Sequence, residues 1–317
     1  MNIVKITENH LGSCMVIAKK QYLKECKSVD ALYEEQYEQE LYQRLKQAFI
    51  KGNGIVCLNE NQVCGYLLSD CDIEKNQNNY ISIPVWGYGA EYKNRNKVIS
   101  FMFQSFANMV MVLRHVAYFN VKIYAHDLEI ISYFTFCQFG IMCTEAVRNT
   151  SRFIIPKNEV LCKELSNAEI LDRKLEILKL YHLLVEHLQQ SPVFYPGKEF
   201  TDEMYMNYIL SDTTRMFVAC NGDEIIGIID AAMDNECFLL NHKRVYNVGD
   251  IYVEERFRGK LISQALLRFV NNTLKEEKVE KLWVEHGTAN PNATGFWDKY
   301  FENYTYTLVR EINNAGF

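Results

Sequence analysis

The sequence lacks an excess of positive charge. Its 317 residues include 34 Lys and Arg against 40 Asp and Glu, which gives a formal net charge of -6 and a pI of about 5.7. A protein that binds nucleic acid mainly through phosphates needs a basic face, so no nucleic-acid partner is expected. No membrane partner is expected either, because the longest apolar run, residues 101–119, is interrupted by Gln104, Asn108, Arg114 and His115.

Paired cysteine motifs are also absent. The ten cysteines include no C-x-x-C pair, and Cys57, Cys64 and Cys71 lie within or beside apolar strand-like segments. We therefore expect reduced cysteines that pack as small hydrophobic residues, and no metal site. The first residues, MNIVKITENHLGS, show no charged segment followed by an apolar one, so a secretory signal is not evident and a cytoplasmic location is expected.

Length and apolar content are sufficient for two hydrophobic cores, since 48% of the residues are hydrophobic and 13% are aromatic. The two halves have a similar predicted element order. Glycines, turn residues and aromatics recur 162 positions apart: Asn59 and Asn221, Gly65 and Gly227, Gly87 and Gly249, Phe134 and Phe296, Phe139 and Phe301. We predict a duplicated domain, with a junction near 151–160 and domains at 1–155 and 156–317.

The apolar patterns predict α/β (α+β) architecture in both halves. In the first half they indicate strands at 2–6, 53–70 (a hairpin), 80–89, 120–125 and 140–148, and helices at 9–24, 33–50, 96–117 and 127–138. In the second half they indicate a strand at 159–165, a helix at 167–190 and a hairpin at 215–234. The long helix should begin with a capping box formed by Ser166 and Glu169 and end before Pro192.

The stretch VEERFRGKLISQALLRFV, residues 253–270, places cations and a glycine between a strand end and a helical pattern. Helix N-termini carry unpaired N–H groups and the positive end of the helix dipole. Backbone donors at such a junction, with Arg258 and Lys260 supplying charge, suit a phosphate-bearing ligand. The segment therefore predicts an anion-binding turn.

Two longer segments resemble the GNAT superfamily of CoA-dependent N-acyltransferases. They are DIYVEERFRGKLISQALLRFV at 250–270, similar to the pyrophosphate-binding segment of the family, and WVEHGTANPNATGFWDKYF at 283–301. The chain is also similar to bacterial tandem-GNAT proteins in EHLQQSPVF (186–194), FWDKYF (296–301) and YTLVREI (306–312). The resemblance implies two tandem GNAT-like domains, each a mixed central sheet flanked by helices.

The resemblance implies acetyl-CoA (CoA) as the acyl donor, bound by the C-terminal domain. The implied cofactor-binding residues are Ile251, Tyr252, Val253, Arg258, Gly259, Lys260, Leu261, Ile262, Ser263, Asn290, Asn292 and Trp297. Leu261 and Ser263 depart from the family pattern, which has small residues there, and the backbone donors survive that change if the torsions are negative. The matching turn of the first half, 91–103, has no glycine, so the N-terminal domain is expected to be degenerate.

In the family a β-bulge separates the fourth strand from the fifth, and the acyl group lies in that gap. Here the gap should be bordered by residues 250–253 and 284–286, with the backbone N–H near Val253 donating to the acyl carbonyl. Glu285, Asp250 and His286 are the candidate bases, with Glu285 preferred. In the family, a tyrosine that protonates the departing thiolate usually stands at the position that is Trp297 here. Tyr300, one helical turn later, is therefore the candidate acid.

The function that follows is transfer of an acetyl group from acetyl-CoA to a primary amine of a small molecule or peptide. The acceptor should bind near the end of the long helix, beside these residues: Glu186, His187, Ser191, Phe194 and Tyr195. Two alternatives remain. One is a non-catalytic acyl-CoA-binding or interaction module, and the other is a synthase of the mycothiol type.

Overall fold

The computed structural model describes residues 1–34, 37–71, 80–91, 94–113, 116–152, 159–195, 201–233, 237–240 and 242–312. Within it the chain forms two compact units. Unit 1 comprises Met1–Thr144 and Asn303–Phe317, and unit 2 comprises Glu145–Glu302. The predicted junction at 151–160 lies largely outside the described residues, as does the boundary between 155 and 156, which stays a prediction.

Unit 1 is built from alternating helices and strands. Its helices are α1 (Leu11–Cys26), α2 (Glu38–Lys51), α3 (Arg95–Leu113) and α4 (Leu128–Phe136). Its strands are β1 (Asn2–Lys5), β2 (Gly54–Asn59), β3 (Gln62–Leu68), β4 (Tyr80–Ile83), β5 (Tyr88–Ala90), β6 (Tyr118–Tyr124), the first residues of β7 (Gly140–Asn149) and nearly all of the C-terminal strand (Glu302–Glu311).

The described strands of unit 1 form two sheets. One has the order β1-β2-β3-β5, and in the other β6 lies between β4, which is parallel to it, and the antiparallel C-terminal strand. Gly65 in β3 leaves the room that α3 occupies, because an added Cβ would lie 2.7 Å from Val98. Met102, Phe106 and neighbouring apolar side chains of α3 fill the core against the sheets.

The described part of unit 2 contains one larger sheet and five α-helices. The helices are α5 (Asn167–Asp172), α6 (Lys174–Gln189), α7 (Asp202–Ile209), α8 (Ile262–Glu276) and α9 (Pro291–Trp297). The strands, apart from the end of β7, are β8 (Leu161–Leu165), β9 (Thr214–Asn221), β10 (Glu224–Ala232), β11 (Val245–Val253) and β12 (Lys281–Gly287), so that the C-terminal strand of unit 1 is β13. The sheet order in unit 2 is β7-β12-β11-β10-β9-β8.

Two apolar clusters cover the faces of the unit 2 sheet. On one face α8 contributes Leu266, Val270 and Leu274, and on the other α6 contributes Ile177 and Tyr181. The apolar residues of α8 recur at helical spacing, which is why this helix buries one face and leaves its polar face in solvent. Each fully buried large apolar side chain stabilises the fold by about 1.5–3 kcal/mol relative to exposure.

The fold class predicted from the sequence is confirmed, and two element boundaries need correction. The strand predicted at 80–89 is two short strands, because the chain turns at Pro84–Gly87, where Gly87 N donates to Pro84 O. The helix predicted at 167–190 is divided at Arg173 into α5 and α6, although the Ser166–Glu169 capping box is present.

Two further expectations concern cysteines and membranes. All ten cysteines are free, and Cys57 is fully buried in an apolar cluster, as expected for a packing residue. Across the described residues, no helix combines the length and the apolar character that crossing a membrane would require.

Candidate active site

The central feature of unit 2 is a gap between β11 and β12. Among the described residues, β11 pairs in parallel with β12 at Val245–Asn247. Beyond Asn247, β11 stays paired with β10 and is no longer paired with β12. The register of β10 and β11 shifts between Ile229 and Ala231, so that two residues of β11, Gly249 and Asp250, oppose Asp230 in a bulge. A bulge bends its strand and redirects side chains, so β11 separates from β12 as predicted.

A buried carboxylate holds this bulge. Asp230 of β10 is fully buried, and its carboxylate accepts hydrogen bonds from the backbone N–H groups of Gly249 and Asp250 and from Tyr208 Oη at 3.0 Å. A Cβ at position 249 would lie 2.6 Å from Asp230 Oδ1, so a larger residue there would displace the Asp230 carboxylate. Gly249 thus allows a carboxylate to approach the backbone of the bulge.

The two aspartates share a low-polarity environment. Burial, and then the charge of Asp250, raise the pKa of Asp230 well above its ordinary value. Burial also raises the pKa of the half-buried Asp250 to about 6. A carboxylate with such a pKa is ionised at neutral pH and still a useful proton acceptor, which is the combination that a general base needs.

The N–H group of Val253 points into the gap. Glu254 N donates to Ile226 O at 3.0 Å, so the peptide groups of Glu254 face β10. Because successive residues of a strand direct their N–H and C=O groups to opposite edges, those of Val253 face the β12 side. Arg258 Nε donates to Val253 O at 3.2 Å, which agrees with this orientation.

A cleft of about 180 Å³ lies between β11, α8 and α9. Its lining residues are Val253, Phe257, Arg258, Gly259, Leu261, Ile262, Ser263, Gln264 and Phe296. The first-turn N–H groups of the 15-residue helix α8 have no acceptor within the helix, and they add to the positive charge of Arg258. Gly259 has a φ of 76° and open space beside its Cα. This cleft suits a pyrophosphate.

Leu261 has an unusual backbone conformation in this cleft. Its φ of 59° and ψ of 24° are left-handed. The turn is expected from the sequence to keep its backbone N–H donors if its torsions are negative, and that condition is not met at this residue. A left-handed L-residue costs about 1–2 kcal/mol, and glycine avoids that cost. The Leu261 side chain is 42% exposed and lines the cleft, so it narrows the approach to the turn.

The other cations of the turn have separate contacts. Arg256 forms ion pairs with Glu224 and Glu254, and the ammonium of Lys260 lies 5.3 Å from the centre of the Phe257 ring. The Arg258 guanidinium lies over the ring of Tyr252 in β11, 5.2 Å from the ring centre, and this contact fixes the guanidinium at the rim of the cleft.

Several predicted cofactor residues also have structural contacts, and their role in cofactor binding stays a prediction. Asn290 is buried and caps α9, where its Oδ1 accepts from Asn292 N at 3.1 Å and from the next N–H group at 3.2 Å. Asn292 itself is exposed, and Trp297 packs in the core against Phe301. Ile251 is half-buried and packs against the same apolar cluster.

The candidate acid and bases differ in exposure. Tyr300 is half-buried, and its carbonyl accepts from Arg148 Nη1 at 3.0 Å. Glu285 is exposed on β12. His286 is buried, both of its ring nitrogens lack a hydrogen-bond partner within the described part of the chain, and burial lowers its pKa. Of the three candidate bases, Asp250 has the most suitable environment.

A second, narrower cleft lies beside α6. We call it the α6 cleft, and its lining residues are Tyr181, Leu184, Val185, Leu188, Tyr195 and Asp250. The prediction that Tyr195 borders an acceptor cleft fits this placement. The α6 face that meets the cleft consists of residues 181, 184, 185 and 188, which recur at helical spacing. Glu186 and His187 lie off this face and are not among the lining residues.

Asp230, Tyr205 and Tyr208 are site residues that sequence reasoning missed. The signal was the strand EIIGIIDAA, in which an aspartate interrupts a mostly apolar sequence. A carboxylate in such a strand is costly to bury without partners, and that cost marks it as a candidate functional residue. Tyr205 and Tyr208 come from α7, for which no motif was recognised.

Comparison with known proteins agrees with this geometry. Residues 180–302 match the model of the acetyltransferase (GNAT) family. A GCN5-related N-acetyltransferase from Sphaerobacter thermophilus has 10% sequence identity and a TM-score of 0.57, with 98% of this chain and 95% of that chain covered. A glucosamine N-acetyltransferase region of a fungal GH3 β-N-acetylglucosaminidase has 9% identity and a TM-score of 0.53, with 97% and 38% covered. No curated protein matches the chain.

Proposed function

We propose that this chain, whose unit 2 contains the match to the acetyltransferase (GNAT) family, transfers an acetyl group from acetyl-CoA to a primary amine. The family and fold support an acyltransferase activity. The observation that carries the finer proposal is the bulged strand β11, which joins the anion cleft at Arg258 and Gly259 to a half-buried carboxylate at Asp250. The donor and the acceptor would therefore meet on a single strand.

Binding of the donor is assigned to the cleft at the start of α8. The pyrophosphate would accept hydrogen bonds from the first-turn N–H groups, while Arg258 supplies charge. The Val253 N–H group faces the gap and would donate to the thioester oxygen, which becomes more negative as the amine attacks. Acetyl-CoA supplies the activated acetyl group, and the chain orients it.

Asp250 is the proposed base. An amine is protonated at neutral pH, so its ammonium group must lose a proton before nitrogen can form the new bond to the carbonyl carbon. The Asp250 carboxylate would accept that proton, directly or through one water. When the carbon–sulfur bond breaks, the departing thiolate takes a proton from solvent or from Tyr300.

A second candidate function, acyl-CoA binding without transfer, is favoured by one observation. The left-handed Leu261 narrows the anion cleft, where the family pattern has a small residue. Such a protein would hold CoA in unit 2 and release no thiol with any amine.

The experiment that tests the proposal combines two measurements. Calorimetry measures CoA binding to the purified protein, and release of free thiol from acetyl-CoA is followed with a mixed panel of amines. Binding together with amine-dependent thiol release supports the acetyltransferase. Binding without release supports the binding module, and absence of CoA binding contradicts both.

A further inference from the structure

The floor of the α6 cleft presents a carboxylate to a ligand. Asp250 lines it, and Asp230 lies close enough for the two carboxylates to influence each other's ionisation. Asp230 Oδ2 and Tyr205 Oη are both buried and have no hydrogen-bond partner among the described residues. Neither residue is among those that line the cleft, so Asp250 is the carboxylate that a ligand in the cleft would meet.

An ammonium group has the required chemistry. It carries three N–H donors and a positive charge, and it accepts nothing. The carboxylates of Asp230 and Asp250 would lose their mutual repulsion when such a cation lies beside them. The α6 cleft has about 30 Å³ of room for an ammonium-sized group, and the whole space between its lining side chains, including the part open to solvent, is about 240 Å³.

The walls above this floor are apolar. One side is formed by Leu184, Val185 and Leu188, and the rings of Tyr181 and Tyr195 lie beside them. Of the described residues that line the cleft, none is basic. An acceptor with a carboxylate next to its amine would therefore face Asp250 without a cation in the described lining to bind it.

Two basic side chains of α6 are paired outside this lining. Lys179 forms an ion pair with Glu254 at 3.1 Å, and His182 contacts Asp202 at 2.6 Å. These carboxylates compete with any substrate carboxylate for the two side chains. The helix that forms the wall therefore supplies the α6 cleft with apolar surface rather than with positive charge.

We propose that the acceptor is an alkylamine or arylalkylamine, a monocation whose ammonium group binds at Asp250 and whose apolar body lies along the α6 cleft. This inference rests on the proposed acetyltransferase function and adds the substrate class. It excludes amino acids as good acceptors, because their α-carboxylate would be repelled. It also excludes polyamines as preferred acceptors, because the described walls offer no second carboxylate.

Matched acceptors test the class directly. Phenethylamine and phenylalanine share a ring, a chain and an amine, and differ by one carboxylate; hexylamine and 1,6-diaminohexane differ by a second amine. We expect kcat/KM to be at least about 100-fold higher for phenethylamine than for phenylalanine, since like-charge contact costs several kcal/mol. Hexylamine should exceed the diamine. Equal or better turnover of phenylalanine or of the diamine would overturn the proposal.

Two variants sharpen the assignment to α6. Leu188→Arg places a cation in the wall and should reduce the preference for phenethylamine over phenylalanine by about tenfold or more. Leu175→Arg is the control, because Leu175 lies on the same helix and is 84% exposed. An equal change in both variants, or none in Leu188→Arg, would place the acceptor elsewhere.

Failure of the substrate class can be separated from failure of the proposed function. Acetyl-CoA binding and thiol release with peptides, aminoglycosides and polyamines report the function alone. If those acceptors are turned over and the two apolar amines are not, the acetyltransferase stands and the α6 assignment fails. If no amine is turned over, binding of phenethylamine is measured by protein NMR with CoA present. Phenethylamine shifts that are lost in Asp250→Asn support the site, and absence of any shift in the unmodified protein overturns it.

Discussion

Positions 162 residues apart carry different chemistry in the two units. Position 68 is a fully buried leucine in unit 1, whereas position 230 is a fully buried aspartate in unit 2. Position 88 is a buried tyrosine, whereas position 250 is the half-buried Asp250. Both pairs lie where the third and fourth strands of the repeat run side by side, so one backbone arrangement holds an apolar pair in one unit and two carboxylates in the other.

Unit 1 also has an internal ion pair near this point. Arg95 at the start of α3 and Asp127 before α4 form a buried bidentate pair, with Nη1 to Oδ1 at 2.5 Å. The cavity beside it is about 10 Å³, which leaves room for one water at most. The cation and the carboxylate of unit 1 neutralise each other, whereas Asp250 of unit 2 lines an open cleft. Similar strands therefore predict a closed site in one unit and an open one in the other.

The largest expected effect concerns the base. Asp250→Asn should lower kcat by about 10²–10⁴-fold, the usual contribution of a positioned base, while acetyl-CoA affinity is unchanged. The matched change in unit 1 is Tyr88→Phe, which removes a buried hydroxyl and should leave kcat unaltered. Glu285→Gln is the competing test, measured by the same thiol-release assay. A large loss in Glu285→Gln alone would move the base to β12.

The pH dependence sharpens the same comparison. The pKa of Asp250 is raised from its ordinary value to about 6, and a base must be ionised to accept a proton. The rate should therefore rise as pH increases through about 6, and this acidic limb should disappear from the residual rate of Asp250→Asn. Stability should change in the opposite direction. A carboxyl with a raised folded pKa stabilises the fold fully below its unfolded pKa, and that stability is lost as pH rises through the folded pKa.

A second large effect is expected in unit 1. Arg95→Met leaves the Asp127 carboxylate buried without its partner, which should reduce the free energy of unfolding by about 3–5 kcal/mol. Arg44→Met is the control, since the exposed pair of Arg44 with Glu40 contributes about 0–1 kcal/mol. Urea denaturation followed by circular dichroism measures both. A loss of less than about 1 kcal/mol in Arg95→Met would mean that the pair is not the feature that closes unit 1.

The sequence predicted the parts of this comparison that depend on backbone punctuation. Repeated glycines at 65 and 227, and at 87 and 249, marked the same hairpins and fourth strands in both halves. Glycine has a local physical reason at such points, because a helix or a side chain must approach the backbone closely. The fold class followed from those signals together with the apolar patterns.

The side-chain partnerships could not be predicted in the same way. Arg95 and Asp127 are 32 residues apart, and Tyr208 and Asp230 are 22 apart, so no local spacing connects them. The preference for Glu285 came from family resemblance, which contains no information about exposure. The carboxylates at 250 and 285 differ in solvent access, and that property depends on how α6 and β11 pack in the folded unit.

The next effect in size concerns the two turns that precede the long helices. Arg258→Glu should weaken CoA binding by about 10- to 100-fold, because it replaces a charge-assisted contact by repulsion. Lys97→Glu makes the matched change near the start of α3 in unit 1 and should have no effect. Calorimetry with CoA measures both dissociation constants. An equal loss in the two variants would contradict the assignment of donor binding to unit 2 alone.

The smallest expected effect concerns Leu261, whose counterpart 162 positions earlier is the helical Ile99. Leu261→Gly removes the cost of a left-handed L-residue, but it also increases backbone freedom in the unfolded chain and loses a partly buried side chain. These changes oppose each other, so the free energy of unfolding should change by less than about 1 kcal/mol. The anion cleft gains space, because the Leu261 side chain lines it. CoA affinity should therefore rise by about threefold, which corresponds to about 0.6 kcal/mol. Weaker binding in Leu261→Gly would show that the leucine supports the donor rather than narrowing its site.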